Sequence, residues 1–295
     1  MKKAFIFPGQ GSQFVGMAKD LYESDDKITS RFKEADDILG YSLTDIMFNG
    51  PEEVLKQTVH TQPAIFLHSV ALFESMDEQP DMTAGHSLGE FSALVASGAL
   101  EFKEAIELVA LRGKLMQQAG SENEGSMAAI IGMEDEAVDQ VCKDAESLVQ
   151  KPVVPANYNC PGQLVISGDK EAVEKAVEMA KEKGCRLAKM LPVSGAFHSP
   201  LMRPALEGLR SKLEQVQIDK ADIPVYSNYT ALPTSEPDKI RENLENQLMN
   251  PVQWTKTMQN MYADGARAFI EIGPGKVLQG LVKRTLKNVE INGYQ

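Results

Sequence analysis

The chain has 295 residues, of which 43% are hydrophobic and 24% charged, and its net charge is −12. This composition is typical of a globular protein with one large or two modest domains, and no apolar run approaches the roughly 20 residues of a membrane span. The negative charge argues against nucleic acid as a partner. Three cysteines without a C-x-x-C spacing argue against a disulfide framework and predict a reducing, cytoplasmic location.

The first predicted element is a short buried strand over residues 3–7, followed by a loop with glycines at positions 9 and 11. Two glycines one residue apart, directly after a strand, fit either a plain strand-to-helix loop or a backbone that approaches a bound group closely. Neither G-x-G-x-x-G nor G-K-[ST] occurs in the chain, so the sequence does not predict a nucleotide-phosphate site.

Two helices are predicted next. Residues 17–39 have helical character and a charged face, which we interpret as solvated. Residues 64–73 are predicted to form an amphipathic helix that begins at Pro63, because proline fits the first turn of a helix. His68 lies in this helix and is interpreted as a packed or partly exposed histidine.

The pattern G-x-S-x-G surrounds Ser87 and is the sequence of a nucleophile elbow. In such an elbow a serine lies on a tight strand-to-helix turn, and Gly85 and Gly89 would let neighbouring backbone pass close to it. The apolar spacing after Ser87 predicts a helix that ends at Gly98. Its N-terminal N–H groups would face a developing negative charge at the serine. The five residues alone would also fit an ordinary strand-to-helix turn.

A second helix, predicted over residues 101–118, has an arginine in the middle of its apolar stripe. Arg112 is flanked at helical spacing by Leu108 and Met116. An arginine on a buried face needs a partner there. It is interpreted either as a side chain that snorkels at the edge of the stripe or as a charged fork that binds a carboxylate.

The middle of the chain has its own order of predicted strands and helices. A polar stretch over 120–125 suits a hinge, and beyond it the order of predicted elements is β-α-β-β-α-β, which is the ferredoxin-like arrangement. The strands are predicted at 126–131, 153–158, 163–168 and 186–191, and the helices at 134–145 and 170–183. We therefore predict an inserted ferredoxin-like subdomain over 125–192, within a larger α/β domain formed by 1–124 and 193–295.

The remainder of the chain returns to the large domain. Helices are predicted at 201–216, 237–248, 251–262 and after 276, and strands at 223–228 and 266–272. Of the four histidines, His198 alone lies in a loop at the predicted domain junction, where a cleft is expected. It is either a catalytic base or a surface-loop histidine. His86 is expected to point away from its neighbour Ser87. The sequence contains no ligand spacing that predicts a metal site.

Together these residues predict chemistry at a serine. Ser87 would be the nucleophile and His198 its base, so that a covalent acyl-enzyme forms. The N–H of Leu88, after the nucleophile, and that of Gln10, after the first strand, would bind the oxyanion. Arg112 would bind a carboxylate on the acyl group. The combined prediction is transfer of a carboxylated acyl unit.

The chain resembles the malonyl-CoA:acyl carrier protein transacylases of bacterial type II fatty acid synthesis over essentially its whole length. The matching motifs are FPGQGSQ at 7–13, GHSLGE at 85–90, RG at 112–113 with MQ at 116–117, NCPGQ at 159–163, GAFHSPLM at 195–202, NPVQW at 250–254 and EIGPGK at 271–276. The resemblance implies an α/β-hydrolase-like large domain. It also implies a ping-pong cycle between malonyl-CoA and the phosphopantetheine thiol of an acyl carrier protein, in a monomer without metal or cofactor.

The resemblance also implies roles for individual residues. Ser87 would carry the malonyl group and a backbone carbonyl near Gln247 would hold His198, while Gln10 and Leu88 would form the oxyanion hole. The implied substrate-binding residues are Arg112 at the malonyl carboxylate, Phe197 where it leaves little room for an α-methyl group, and Met116, Asn159 and Asn228.

Two other classes of function remain open at this stage. A serine esterase or thioesterase of the α/β-hydrolase type would carry an Asp or Glu bonded to the catalytic histidine. A non-catalytic module that binds carrier proteins would gain no covalent mass from malonyl-CoA.

Overall fold

The computed structural model of the protein describes residues 1–122, 124–193 and 195–295. The N-terminal part contains β1 (Lys2–Phe7), α1 (Lys19–Ser24), α2 (Asp26–Leu39), α3 (Leu43–Asn49), α4 (Glu52–Leu55), α5 (Thr58–Ser75), β2 (Met82–Gly85), α6 (Gly89–Ala96) and α7 (Phe102–Glu122). The middle part contains β3 (Gly125–Ile131), α8 (Asp135–Val149), β4 (Val153–Cys160), β5 (Gln163–Asp169), α9 (Lys170–Glu182) and β6 (Leu187–Met190).

After a single 3-10 turn at Pro200–Met202, the chain continues through α10 to β10. These elements are α10 (Arg203–Gln215), β7 (Val225–Tyr226), β8 (Pro233–Thr234), α11 (Pro237–Gln247), α12 (Trp254–Ala263), β9 (Ala266–Ile272), α13 (Val277–Thr285) and β10 (Glu290–Tyr294). Each described helix is too short or too polar to cross a lipid bilayer.

Six strands form the larger sheet, in the order β10-β9-β1-β2-β7-β8. All of its pairings are parallel except the one between β7 and β8. Parallel strands end at a common edge, and a change of direction in strand order opens a crevice there. Phe7 pairs with Gly85 at the ends of β1 and β2, and the N–H of His86 donates to the Phe7 carbonyl at 2.9 Å. The loop after β1 therefore lies beside the turn that holds Ser87.

The second sheet is antiparallel, with the order β4-β5-β3-β6, and α8 and α9 share its apolar core. The predicted β-α-β-β-α-β order is thus observed over this segment. Backbone hydrogen bonds join it to the rest of the chain: the Tyr158 N–H donates to the Val252 carbonyl at 2.9 Å, and the Val252 N–H donates to the Ala156 carbonyl at 2.8 Å. Asp169 caps α9 as a side-chain acceptor for the Glu171 N–H.

Several predicted boundaries are wrong. The helix predicted over 17–39 is two helices, because Asp25 ends α1 and its carboxylate caps α2 by accepting from the Lys27 N–H at 2.8 Å. Helix α5 begins before Pro63, at Thr58, and it is buried nearly all round rather than amphipathic, since it packs among α2, α6 and α7. The strand predicted over 223–228 is only two residues long.

The hinge predicted over 120–125 largely coincides with regular structure. Helix α7 continues to Glu122 and β3 begins at Gly125, while residue 123 lies outside the described residues. Two short helices (α3 and α4) and two strands (β8 and β10) were not predicted.

Candidate active site

Ser87 lies on a strained turn between β2 and α6. Its φ is 52°, in the left-handed region that a serine rarely adopts. The turn closes only around glycine. A Cβ on Gly85 would lie 1.8 Å from the Gly89 carbonyl carbon, and a Cβ on Gly89 would lie 2.1 Å from the Phe7 carbonyl oxygen. The predicted elbow is therefore present, and its glycines are a steric requirement.

His198 contacts the serine. Its Nε2 lies 2.7 Å from Ser87 Oγ, and its Nδ1 lies 2.9 Å from the carbonyl oxygen of Gln247. A carbonyl can only accept, so Nδ1 carries the hydrogen and Nε2 is free to accept the proton of the serine. Burial, and after it the charge of Arg112, lower the pKa of His198 to about 3. The imidazole is therefore neutral at pH 7, as a general base must be.

The low pKa of His198 can be tested by NMR. We expect its Nε2 resonance in ¹⁵N-histidine-labelled protein to keep the unprotonated shift from about pH 7.5 to about pH 5, since a base with a depressed pKa does not titrate in that range. The variant His198→Gln assigns the signal. A titration midpoint near the ordinary 6.5 would contradict the expectation. The same depressed pKa affects stability. Below about pH 6.5 the imidazole of His198 binds a proton in the unfolded chain but not in the folded protein, so its contribution to the free energy of unfolding falls as the pH is lowered.

Arg112 is only 1% exposed and does not snorkel. From α7 its Nη2 donates to Ser87 Oγ at 3.1 Å and to Gln247 Oε1 at 2.9 Å, while Nη1 donates to Gln62 Oε1 at 2.6 Å. Its Nε is buried without an acceptor among the described residues. Burial lowers the pKa of Arg112 to about 10, which leaves the guanidinium charged at pH 7. The site thus presents a fixed positive charge beside the hydroxyl of Ser87.

The two predicted oxyanion donors belong to residues, Gln10 and Leu88, that line the same cavity as Ser87. Within the described ranges, neither backbone N–H donates to a protein acceptor. The side chain of Gln10 is held by a long contact to Thr58 Oγ1, at 3.4 Å. Two N–H groups are therefore available for a negatively charged oxygen.

The two predicted asparagines occupy different places. Asn159, on β4, lines the cavity, and its Oδ1 lies 2.8 Å from His86 Nε2. Asn228 is fully buried beside the elbow, where its Oδ1 accepts from the Ser87 N–H and its Nδ2 donates to the Gly85 carbonyl, both at 2.6 Å. Asn228 therefore braces the nucleophile turn and does not face the cavity.

The cavity itself has a volume of about 240 Å³ and is walled by the second sheet, by helices α5, α7 and α13, and by the loops that follow β1 and β2. Phe197 and Met116, predicted to bind substrate, are among its lining residues. The middle segment contributes Met127 and Val165 to the opposite wall. Among the described residues, no cluster of three His, Cys, Asp or Glu side chains could hold a metal ion.

Two polar residues of the site were missed. Gln62 binds Arg112, but its TQP context was interpreted only as a helix start. Glu90 is 3% exposed, and its Oε2 accepts from Gln247 Nε2 at 2.8 Å and from the Asn228 N–H at 3.0 Å. Burial raises the pKa of Glu90 to about 7. A lone carboxylate in the apolar helix α6 was the available signal for it.

A mixed α/β fold with a serine on an elbow turn beside its cavity is typical of one class of protein, the enzymes that act on acyl groups. The family described as "Acyl transferase domain" matches residues 4–294, and the chain belongs to that family. It is 48% identical to the malonyl CoA-acyl carrier protein transacylase of Bacillus subtilis over 300 residues, covering 99% of this chain and 93% of the relative. The resemblance predicted from the motifs is confirmed.

Solved structures agree. An acyl carrier protein S-malonyltransferase from Vibrio cholerae superposes with a TM-score of 0.96 at 46% identity, covering 100% of this chain and 97% of the other. A malonyl-transacylase in complex with its type II PKS acyl-carrier protein superposes with a TM-score of 0.94 at 43% identity, covering 99% and 95%.

Proposed function

We propose that this enzyme transfers a malonyl group from malonyl-CoA to the phosphopantetheine thiol of an acyl carrier protein through a malonyl ester on Ser87. One observation carries the proposal: Ser87 Oγ lies between a neutral imidazole at 2.7 Å and a guanidinium at 3.1 Å. The first supplies a base, and the second a partner for the free carboxylate of the acyl group. The names of the relatives support the same two substrates.

The proposed cycle has two matched halves. His198 Nε2 accepts the hydroxyl proton as Ser87 Oγ attacks the thioester carbonyl, and the resulting oxyanion is bound by the N–H groups of Gln10 and Leu88. The C–S bond then breaks, and the imidazolium returns its proton to the departing CoA sulfur. In the second half a carrier thiol gives its proton to His198 and its sulfur attacks the ester carbonyl. The C–O bond to Ser87 then breaks, and the imidazolium returns the proton to Ser87 Oγ.

Arg112 is proposed to hold the acyl carboxylate and so to orient the ester. The acyl group would then be fixed at both ends, at Ser87 and at Arg112. In that position water cannot approach the ester carbonyl along the line of attack, so the ester persists until a thiol arrives. Phe197 and Met116 line the same cavity and are proposed to limit groups on the α-carbon. These roles favour malonyl over methylmalonyl and acetyl units.

We also propose that residues 1–124 and 193–295 form an α/β-hydrolase-like domain and that 125–192 form an inserted ferredoxin-like one. The two separate sheets and their strand orders support this division. An active monomer remains a prediction, which a sedimentation coefficient measured at assay concentration tests. Cytoplasmic location remains a prediction from cysteine usage.

Intact-mass spectrometry tests the proposed function. After mixing with malonyl-CoA, the wild-type protein should gain the mass of one malonyl group and lose it when holo acyl carrier protein is added. Ser87→Ala should gain none, and methylmalonyl- and acetyl-CoA should give less adduct. A protein without added mass would fit a binding module, and rapid release of free malonate without any thiol would fit a thioesterase. Either result contradicts the proposal.

A further inference from the structure

A buried carboxylate is linked to Arg112 through a single amide. Glu90 Oε2 accepts from Gln247 Nε2 at 2.8 Å, and Gln247 Oε1 accepts from Arg112 Nη2 at 2.9 Å. Glu90 and Arg112 are 3% and 1% exposed, so solvent screens neither charge well. The mechanism above uses Arg112 and leaves Glu90 without a role.

The Gln247 amide has one orientation between Arg112 and Glu90. The guanidinium of Arg112 can only donate, so it faces the amide oxygen, and the NH₂ group of the amide donates to Glu90 Oε2. The same NH₂ group donates to the Ser87 carbonyl at 3.0 Å. The backbone carbonyl of Gln247 meanwhile holds His198. Glu90 thus accepts a hydrogen bond from a residue that contacts Ser87, His198 and Arg112.

Glu90 also balances charge above pH 7, where a carboxyl group with a pKa of about 7 is mostly ionised. Neither Glu90 nor Arg112 forms a direct ion pair with any described residue, and the charge of each shifts the pKa of the other. A bound acyl carboxylate would bring a second negative charge to the same guanidinium. The attraction of Arg112 for that carboxylate is then weaker than it would be for an uncompensated arginine.

We infer that Glu90 is a positioning residue that serves as the internal counter-charge of Arg112 and moderates how tightly the site holds a carboxylated acyl group. The inference rests on the proposed function. A transferase must select the malonyl group and still release it to a second thiol. A guanidinium whose charge is partly balanced by Glu90 before substrate binds can still select a carboxylated acyl group. It would hold that group less tightly than an uncompensated arginine would, which favours release.

The variant Glu90→Gln removes the charge and keeps an oxygen that can accept from Gln247 and Asn228. The lifetime of malonyl-Ser87 after holo carrier protein is added should then increase roughly tenfold. A change of this size lies within the interaction energies expected between residues of one hydrogen-bond network. The acetyl ester should change less than about twofold, because it has no carboxylate for Arg112 to hold. Glu245→Gln, which loses a half-buried carboxylate on α11 that pairs with Arg210, is the matched control and should leave both lifetimes unchanged.

An unchanged or shorter malonyl-ester lifetime, or an equal change for the acetyl ester, would overturn the inference. Adduct formation on wild-type protein tests the proposed function separately, so failure of one is distinguishable from failure of the other.

Stability supplies a second measurement. Urea unfolding of Glu90→Gln, Arg112→Gln and the double variant forms a double-mutant cycle. If the two charges balance each other, the double variant should lose less stability than the sum of the single losses. Additive losses would overturn the inference. Should Glu90→Gln alone not fold, recovery of a folded protein in the double variant supports the inference and failure to recover it overturns it.

Discussion

Arg112→Ala should lower the rate of malonyl transfer by about 100-fold or more and raise the rate with acetyl-CoA, because deleting one partner of a buried charge pair costs roughly 2–5 kcal/mol. The guanidinium touches Ser87 Oγ directly, at 3.1 Å, so its loss removes the contact for the acyl carboxylate and empties space beside the nucleophile. An uncharged acyl group gains from that change. The measurement is kcat/KM for both acyl-CoA substrates with the same carrier protein.

Lys114→Ala is the matched control for this change. It removes a basic side chain from the exposed face of the same helix, two residues away, and should leave both rates unchanged. Since Arg112 also donates to Gln62 and Gln247, the far-ultraviolet circular dichroism of the variant should be compared with that of the wild type. Equal losses for malonyl and acetyl substrates would mean that Arg112 is structural.

Gly85→Ala should destabilise the protein by about 4 kcal/mol or more, in the range reserved for severe steric conflicts. The new Cβ would lie 1.8 Å from the Gly89 carbonyl carbon and 2.3 Å from the Glu90 nitrogen. Both are backbone atoms at the start of α6, so the conflict is relieved only if the helix moves and carries Ser87 with it. Urea unfolding and the malonyl adduct measure the two consequences.

Gly280→Ala is the control for the elbow variant. It lies in α13, and a Cβ there would meet nothing within 4 Å. It should therefore stabilise the protein by about 0.5–1 kcal/mol, as alanine does at a helical position without strain. A Gly85→Ala protein with the same urea unfolding midpoint as the wild type would contradict the prediction, because it would show that the turn accommodates a Cβ at position 85.

Local patterns indicated three side chains that the structure brings together. The elbow glycines, the stripe around Arg112 and the junction loop of His198 each have a short-range physical cause, and the structure brings all three side chains to one cavity. Helix α5 shows where such patterns fail. Proline was interpreted as its first turn, yet burial among three other helices sustains helix on both sides of Pro63.

The residues that were missed depend on contacts distant in sequence. Glu90 meets Gln247 across 157 positions, and no local period marks such a pair. Strand β10 was missed for a related reason. Its sequence lacks alternating apolar residues and is mostly exposed, so it is defined by parallel pairing with β9 rather than by its own pattern.

The imidazole of His198 is anchored by a peptide carbonyl rather than by an acidic side chain. A peptide oxygen does not titrate near neutral pH and is present whatever residue occupies position 247. Replacing that residue would therefore sever its amide contacts to Arg112 and Glu90 while the support of the base survives. Only a shift of the main chain at the end of α11 could move this carbonyl away from His198. The hydrogen bond to Nδ1 should therefore survive point substitutions at position 247.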